Sequence, residues 1–388
     1  MLELMVTICY IAGCVLLFSL AIAIHEFGHF IAAVKLGLRV DRFSIGFGPA
    51  LWKRKINGVE YRISAIPFGG YVSIPDLDPE GAKALQGTSD AQDGKRPLPA
   101  WKEMVVAFAG PFMNIVLAAV LAVALSLVPS ANFGVLGTEI GGVIEGGPAQ
   151  KAGLMKGDKV LSVNGNTVST WNEMLVEVQI AGNRESAFEI VRCSGDQCSM
   201  RTISITPEKD DVTGAYFIKA LSAADSGARA AAWMTHRHPL KQLQQDAASI
   251  FRILKGLVTP NEMKSTGSAL GGPVMIAQGI YKSIRRDFAD GIGFLRFLNV
   301  NLAVLNLLPL PVLDGGLILF ALISLVFRRR IPEKVVRALS MLFMALLLGL
   351  MCLLVWRDSV RSIKLHSYAK EAAAQKEAAR SADGNIER

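Results

Sequence analysis

Charge is scarce in this chain. Only 19% of its 388 residues are Asp, Glu, Lys or Arg, against 51% hydrophobic, and its mean hydropathy is positive. That balance sets aside a purely water-soluble globule of this length, and the high apolar share sets aside disorder. No fixed period runs through the 36 glycines and 16 prolines, so a collagen-like chain is excluded too. Aromatic residues make up only 7%. The charge of +8, from 41 basic and 33 acidic residues, therefore lacks the aromatic company of a nucleic-acid surface. Its densest basic runs sit beside long apolar stretches, where membrane orientation places them. The expected partner is a lipid bilayer and not nucleic acid.

Four stretches are free of charge and long enough to cross a bilayer as helices: Met5 to Ile24, Met104 to Val128, Phe297 to Leu313 and Ala338 to Trp356. A cleaved signal peptide is the alternative for the first, with Ala21-Ile22-Ala23 as a cleavage pattern, but Met1-Leu2-Glu3 carries no Lys or Arg. Lys35, Arg39, Arg42, Lys53, Arg54, Lys55 and Arg62 lie between the first two spans, and Arg328, Arg329, Arg330, Lys334 and Arg337 between the last two. Both loops therefore face the cytoplasm, which leaves the amino terminus, the segment from about Pro129 to Asp290 and the carboxyl tail on the other side. Between Arg39 and Ile74 apolar and polar residues alternate around Gly-Pro and Asn-Gly turns, a hairpin pattern. Leu243, Ala247, Ile250, Phe251, Leu254 and Leu257 recur at helical spacing. Such a helix either packs on the exported domain or lies at the exported membrane surface.

The expected organisation is a polytopic α-helical membrane protein: transmembrane helix 1 over 1–36, a cytoplasmic-side, membrane-associated β region with its loop over 37–101, and transmembrane helix 2 over 102–128. An exported α+β domain follows over 129–220, then a connector with the amphipathic helix over 221–292. Transmembrane helix 3 takes 293–327, a cytoplasmic loop 328–337, transmembrane helix 4 338–357, and an exported tail 358–388.

At the cytoplasmic end of the first span stands His25-Glu26-Phe27-Gly28-His29. On a helix the two histidines project from one face about a turn apart, where two neutral imidazoles can grip one zinc ion, and Glu26 beside them can act as general base toward water. Ionisable side chains at the edge of an apolar span are costly unless they bind something. A helix-end cluster solvated by headgroups would explain one histidine but not this spacing. Catalytic zinc takes three protein ligands and keeps an open position, so a third donor must come from elsewhere. Asp41 and Glu60 are the nearest acids, in a strand-like region. Asp314 is the better candidate, the only acidic residue between Phe297 and Phe327; its bland reading is a helix-terminating Asp-Gly turn after Pro309 and Pro311. Those prolines, and Gly110-Pro111 in the second span, are breakers that can leave irregular backbone where protein lines a cavity, or simply kink a helix.

The exported segment carries Pro148-Ala149-Gln150-Lys151-Ala152-Gly153-Leu154, Lys156-Gly157-Asp158-Lys159-Val160-Leu161 and Val163-Asn164-Gly165, which read as strand, short helix, strand and Asn-Gly hairpin turn. It resembles a PDZ domain of the type attached to proteases, over about Gly137 to Pro207. A ligand edge would lie between Gly141–Ile144 and Thr170–Ile180, serving either a peptide ligand by strand addition or a steric filter. Cys193 and Cys198 flank a four-residue polar loop, and in an oxidising compartment a cross-strand disulfide is a reasonable expectation. Cys9, Cys14 and Cys352 fall in apolar spans, where buried packing is the default reading.

Taken in order, His25-Glu26-Phe27-Gly28-His29, Phe43-Ser44-Ile45-Gly46-Phe47-Gly48-Pro49, Gly110-Pro111-Phe112-Met113-Asn114, the PDZ-like insert and Asn306-Leu307-Leu308-Pro309-Leu310-Pro311-Val312-Leu313-Asp314-Gly315 resemble the site-2 intramembrane protease family, in its bacterial regulator-of-sigma-E type. One departure is the single PDZ-like insert where that type often has two. The resemblance implies zinc held by His25, His29 and Asp314, with Glu26 as general base and proton donor. It implies Asn306 near the substrate or the developing oxyanion, a role that competes with an interhelical hydrogen bond. It also implies cleavage of transmembrane segments of single-pass proteins, anti-sigma factors or remnant signal peptides, in a bacterial inner membrane after a first cut elsewhere. The alternative from another class is a PDZ-containing membrane scaffold with a structural or vestigial metal site.

Overall fold

A computed structural model of the chain describes residues 2–77, 98–128, 137–195, 197–210, 214–223, 238–286, 288–329 and 331–383. The loop part of the 37–101 region that falls on 78–97 and the tail end at 384–388 lie outside the described residues. The elements in chain order are α1 (Leu2–Lys35), β1 (Arg42–Ile56), β2 (Val59–Ser73), α2 (Ala100–Leu127), β3 (Ile140–Val143), α3 (Pro148–Lys151), β4 (Lys159–Val163), β5 (Asn166–Thr167), α4 (Trp171–Ala181), β6 (Ser186–Ser194), β7 (Gln197–Ile205), β8 (Glu208–Lys209), β9 (Tyr216–Phe217), β10 (Ala220–Ser222), α5 (Pro239–Val258), α6 (Pro260–Ala269), α7 (Pro273–Arg286), α8 (Phe288–Asn306), α9 (Asp314–Phe327) and α10 (Glu333–Asp383). Among the described residues, four helical stretches are long and apolar enough to cross a membrane: Val15–Lys35, Ala100–Leu127, Phe288–Asn306 and Lys334–Lys364.

The chain divides into two compact units. The first comprises Met1–Ala131, His236–Ile250 and Gly279–Leu348. Its α1 carries helix past Ile24, through both histidines, to Lys35. The chain then enters a hairpin whose turn, Asn57-Gly58, has both φ angles positive at 50° and 85°, the backbone a two-residue turn needs to match strand twist. The hairpin folds back on itself: Arg42–Ile45 pairs with Glu60–Ile63 on one side and with Gly70–Ser73 on the other. Ala33, Leu38, Val40, Ile74 and Val106 bury together where the end of α1, the sheet and α2 meet. Along α2 the buried residues Val106, Ala107, Gly110, Asn114, Ala118, Ala122 and Leu125 follow helical spacing and are mostly small, as helices that must approach closely without a hydrophobic driving force require. The helix runs unbroken through Pro111. Irregular backbone does not form there: the proline removes one N–H donor and crowds the carbonyl four residues back, a local cost that the packing of α2 outweighs.

The third span departs from its expected bounds. Helix α8 begins at Phe288 and ends at Asn306, and α9 starts at Asp314. Residues 307–313 form turns that include Leu310 N–H donating to Leu308 O at 2.7 Å and Leu313 N–H to Leu310 O at 2.9 Å. Here Pro309 and Pro311 do interrupt the helix. Asp314 opens a helix rather than terminating one, a favourable place for a negative charge. The upstream start was hidden by charge: Arg296 is fully buried in α8 and meets Asp246 of α5, Nε to Oδ2 at 2.7 Å and Nη2 to Oδ1 at 3.2 Å, together with Gln242. On α5 the side buried within this unit is therefore Gln242, Asp246 and Ile250, a polar latch onto α8 that neither expectation for the amphipathic helix contained. Burial pushes the Asp246 carboxyl above its ordinary range despite the guanidinium beside it.

Large side chains along Lys334–Lys364 are exposed, Met341, Leu346, Leu350 and Leu353 among them, the state of a helix that faces lipid. Cys352 is exposed on that helix, which corrects the expectation of a buried packing residue; the side chains of Cys9 and Cys14 lie outside those described.

The second unit comprises Asn132–Thr235, Phe251–Gln278 and Gly349–Arg388. A four-stranded sheet in the order β5-β4-β6-β7 and the pair β10-β3 enclose Ile140, Leu154, Val160, Val163, Met174, Val178, Phe188, Ile190 and Ile205. Asn164-Gly165 makes the β4–β5 turn with φ of 52° and 78°. Helix α4 starts at a capping box in which Thr170 and Glu173 exchange side-chain-to-backbone hydrogen bonds. Arg192 clamps the buried Asp158 carboxylate with two bonds of 2.7 Å. Cys193 and Cys198 are bonded as a cross-strand disulfide between directly paired positions of β6 and β7.

Candidate metal centre

Helix periodicity puts His25 and His29 on the face of α1 that meets α2. That meeting depends on Gly110: a Cβ there would collide with the His29 ring and stand 2.8 Å from His25 Cε1. Gly28 plays the reciprocal part against the Ala109 carbonyl. The broken third span then delivers Asp314 to the same point. The Nε2 atoms of the two histidines are 3.2 Å apart, His25 Nε2 is 3.2 Å from Asp314 Oδ2, and His29 Nε2 is 3.5 Å from Asp314 Oδ1. Three donors on a tetrahedral ion with bonds near 2.0–2.1 Å lie about 3.3 Å from one another. Asp314 Oδ2 is also buried without a hydrogen-bond partner. The residues therefore fit a divalent ion, and among the described residues these three form the one His/Cys/Asp/Glu group with metal-holding geometry.

Each imidazole is held from behind. His29 Nδ1 lies 2.8 Å from the Val106 carbonyl oxygen, an atom that only accepts, so Nδ1 carries the proton and Nε2 is left as a ligand atom. His25 Nδ1 lies 3.2 Å from Asn114 Nδ2. Glu26 accepts a hydrogen bond from the Val72 backbone in β2 and stands within electrostatic range of His29 and Asp314. The strand reaches it because residue 70 is glycine, whose Cβ would lie 3.0 Å from Glu26 Cγ.

A cavity of about 920 Å³ takes in Glu26, His29 and Asp314 and is bounded further along by Val106, Leu317 and Arg337. Asn306 is half-buried at the last position of α8 and is not among the residues lining this cavity. The nearer acids considered from sequence are engaged elsewhere: Asp41 with Arg39 at 2.6 Å, and Glu60 with Arg42 and Arg62 at 3.0 and 2.8 Å. Asn114, Gly110 and Val72 were not singled out as site residues. For Asn114 a signal existed, an amide in the middle of an otherwise apolar span; for a backbone group such as Val72 N–H there was none.

A histidine pair with a glutamate between them, a distant carboxylate brought to the same point, and a setting of membrane-length helices define the class: a membrane metalloprotease. A family model described as Peptidase family M50 matches residues 13–350, and the chain belongs to that family. It is 32% identical over 359 residues to Cj1068 of Campylobacter jejuni, with 90% of this chain and 93% of that protein covered. It is 31% identical over 358 residues to CPE1693 of Clostridium perfringens, covering 90% and 98%, and 32% identical over 353 residues to slr1821 of Synechocystis, covering 88% and 92%. All three carry the name of a zinc metalloprotease.

Proposed function

We propose that this protein is a zinc-dependent intramembrane endopeptidase of the site-2 type, which hydrolyses peptide bonds within transmembrane segments of single-pass proteins after an earlier cut. The observation that carries the reading is the donor triangle of His25, His29 and Asp314, with edges of 3.2–3.5 Å, set beside Glu26 on a membrane-length helix. Zinc, when bound there, supplies Lewis acidity that makes water a nucleophile and polarises the scissile carbonyl.

The remaining steps belong to the chain. Glu26 takes a proton as the water oxygen bonds to the carbonyl carbon, and returns it to the amide nitrogen as the C–N bond breaks, giving one new carboxylate and one new amine. Its hydrogen bond to Val72 fixes the carboxylate's position through that transfer. Asn306, at the end of the helix leading to Asp314, is proposed as a donor to the carbonyl oxygen, where charge develops. A substrate helix hides its carbonyls in internal hydrogen bonds, so local extension must precede cleavage, and the strand Gly70–Ser73 beside Glu26 supports pairing with the extended segment.

The clustering of Lys and Arg in two loops supports a bacterial inner-membrane location with both termini and the second unit's insert on the periplasmic side. The insert is read as one PDZ domain, whose ligand edge would lie between β3 and α4 and serve peptide capture or steric filtering. Anti-sigma factors or remnant signal peptides are the substrate classes proposed. Purified Glu26→Gln protein should keep its zinc and its thermal stability while losing cleavage of a model transmembrane substrate; undiminished turnover would overturn the assignment.

A further inference from the structure

We propose that Asn114 is the positioning residue for the first metal ligand, its carboxamide oxygen accepting the Nδ1 proton of His25 so that Nε2 is left to bind the metal. The inference rests on the metalloprotease reading above. Asn114 is fully buried on α2. Its Nδ2 stands 3.2 Å from His25 Nδ1, while its Oδ1 is buried with no hydrogen-bond partner. A buried amide that keeps one end unmet needs a reason, and its neighbour supplies one.

With Nδ2 donating, His25 Nδ1 accepts, and the neutral ring carries its proton on Nε2. That hydrogen would sit on the very atom that has to bind the metal, 3.2 Å from both His29 Nε2 and Asp314 Oδ2. A metal needs the opposite tautomer, with the Nε2 lone pair free and the proton on Nδ1. Rotating the carboxamide by half a turn exchanges two ends of nearly equal size. Oδ1 then accepts the Nδ1 proton, and the ring is held in the ligating tautomer without moving. The contrast with His29 is chemical. Its partner, the Val106 carbonyl, is 2.8 Å away and can only accept, so the second ligand is fixed in the metal-binding tautomer, whereas the first has a partner that can serve either one.

The test is zinc affinity, read by competition with a fluorescent chelator on the zinc-stripped full chain in detergent. Asn114→Leu has the same bulk and no acceptor, and should weaken zinc binding about 10–100-fold, the usual loss when a partner of a ligating histidine is removed. Asn114→Asp, an acceptor at both oxygens, should hold zinc at least as tightly as wild type. At saturating zinc the Leu variant should lower kcat with KM unchanged. Wild-type affinity in Asn114→Leu, or a loss in Asn114→Asp as large as in Asn114→Leu, would overturn the proposal. Should the Leu variant lack cooperative melting in its metal-free form, Asn114→Asp decides alone: zinc binding as tight as wild type supports the acceptor role, and a tenfold loss refutes it. A wild-type chain that binds no zinc would sink the metalloprotease reading as well, which separates that failure from this one.

Discussion

Adding one carbon at Gly110 should dismantle the metal centre although Gly110 touches no metal. An alanine Cβ would overlap the His29 ring and stand 2.8 Å from His25 Cε1. Ordinary carbon contacts are about 3.5–4.0 Å, so the rings or the two helices must separate by the better part of an ångström, while ligand distances tolerate only about 0.2 Å. Either response removes at least one imidazole from the triangle with Asp314. We expect Gly110→Ala to weaken zinc binding at least about 100-fold, equivalent to about 2.7 kcal/mol. The metal-free protein should itself lose about 1–3 kcal/mol from overpacking, partly offset by about 0.5–1 kcal/mol from alanine's better helix propensity. Gly13→Ala on α1 is the matched control, since a Cβ there meets nothing within 4 Å; it should be neutral or mildly stabilising and leave zinc untouched. Chelator competition and thermal unfolding of the three proteins make the comparison. Wild-type zinc affinity in Gly110→Ala would refute the argument that backbone proximity at this crossing sets the site.

Two further outcomes follow from buried charge. Arg296→Met leaves the Asp246 carboxylate buried without its cation and should cost about 3–5 kcal/mol, whereas Arg296→Met with Asp246→Leu should recover most of it; equal melting of the single and double variants in detergent would show that the α5–α8 latch is not coupled. In the second unit, burial alone would raise the Asp158 carboxyl, but the Arg192 guanidinium and the Met155 N–H bring it below its ordinary value. A folded value below the unfolded one of about 3.9 means the stabilisation is present above that pH and is lost as pH falls through the folded value. Hydrogen exchange in the insert should therefore rise as pH is taken down through that range, after correction for intrinsic rates, with a shallower slope in Asp158→Asn; identical slopes would remove Asp158 from the account.

Much of the site was legible in residue types, because metal chemistry demands them. Two imidazoles at helical spacing with a carboxylate between them, and one acid in a long apolar stretch, are chemical demands written into the sequence. The helix architecture was legible where hydropathy is uniform and failed where it is not. The start of α8 at Phe288 is masked in the sequence because Asp290 and Arg296 interrupt the apolar run, and it is Asp246 on α5 that makes Arg296 tolerable inside a bundle. Prolines misled in one place and informed in another. Pro111 sits within an intact α2, whereas Pro309 and Pro311, two residues apart, leave no stretch that could resume helix before Asp314.

What remained hidden shares a physical cause. Lipid supplies no hydrophobic drive to press one helix on another, so helices in a membrane associate through close van der Waals fit and hydrogen bonds. A metal adds a stricter condition, since its bonds fix the donor atoms to a few tenths of an ångström. Both demands are met at the same residues. The glycines at 28 and 110 let α1 and α2 approach until the two rings share one small volume, and the glycine at 70 lets a strand lie against Glu26. At Gly316, a Cβ would strike the Leu310 carbonyl, so the turn before Asp314 can close only without one. Side chains that carry chemistry announce themselves by type. The positions that aim them are marked by the lack of a side chain, and their meaning emerges only when the chain is folded and the neighbour that would be struck can be named.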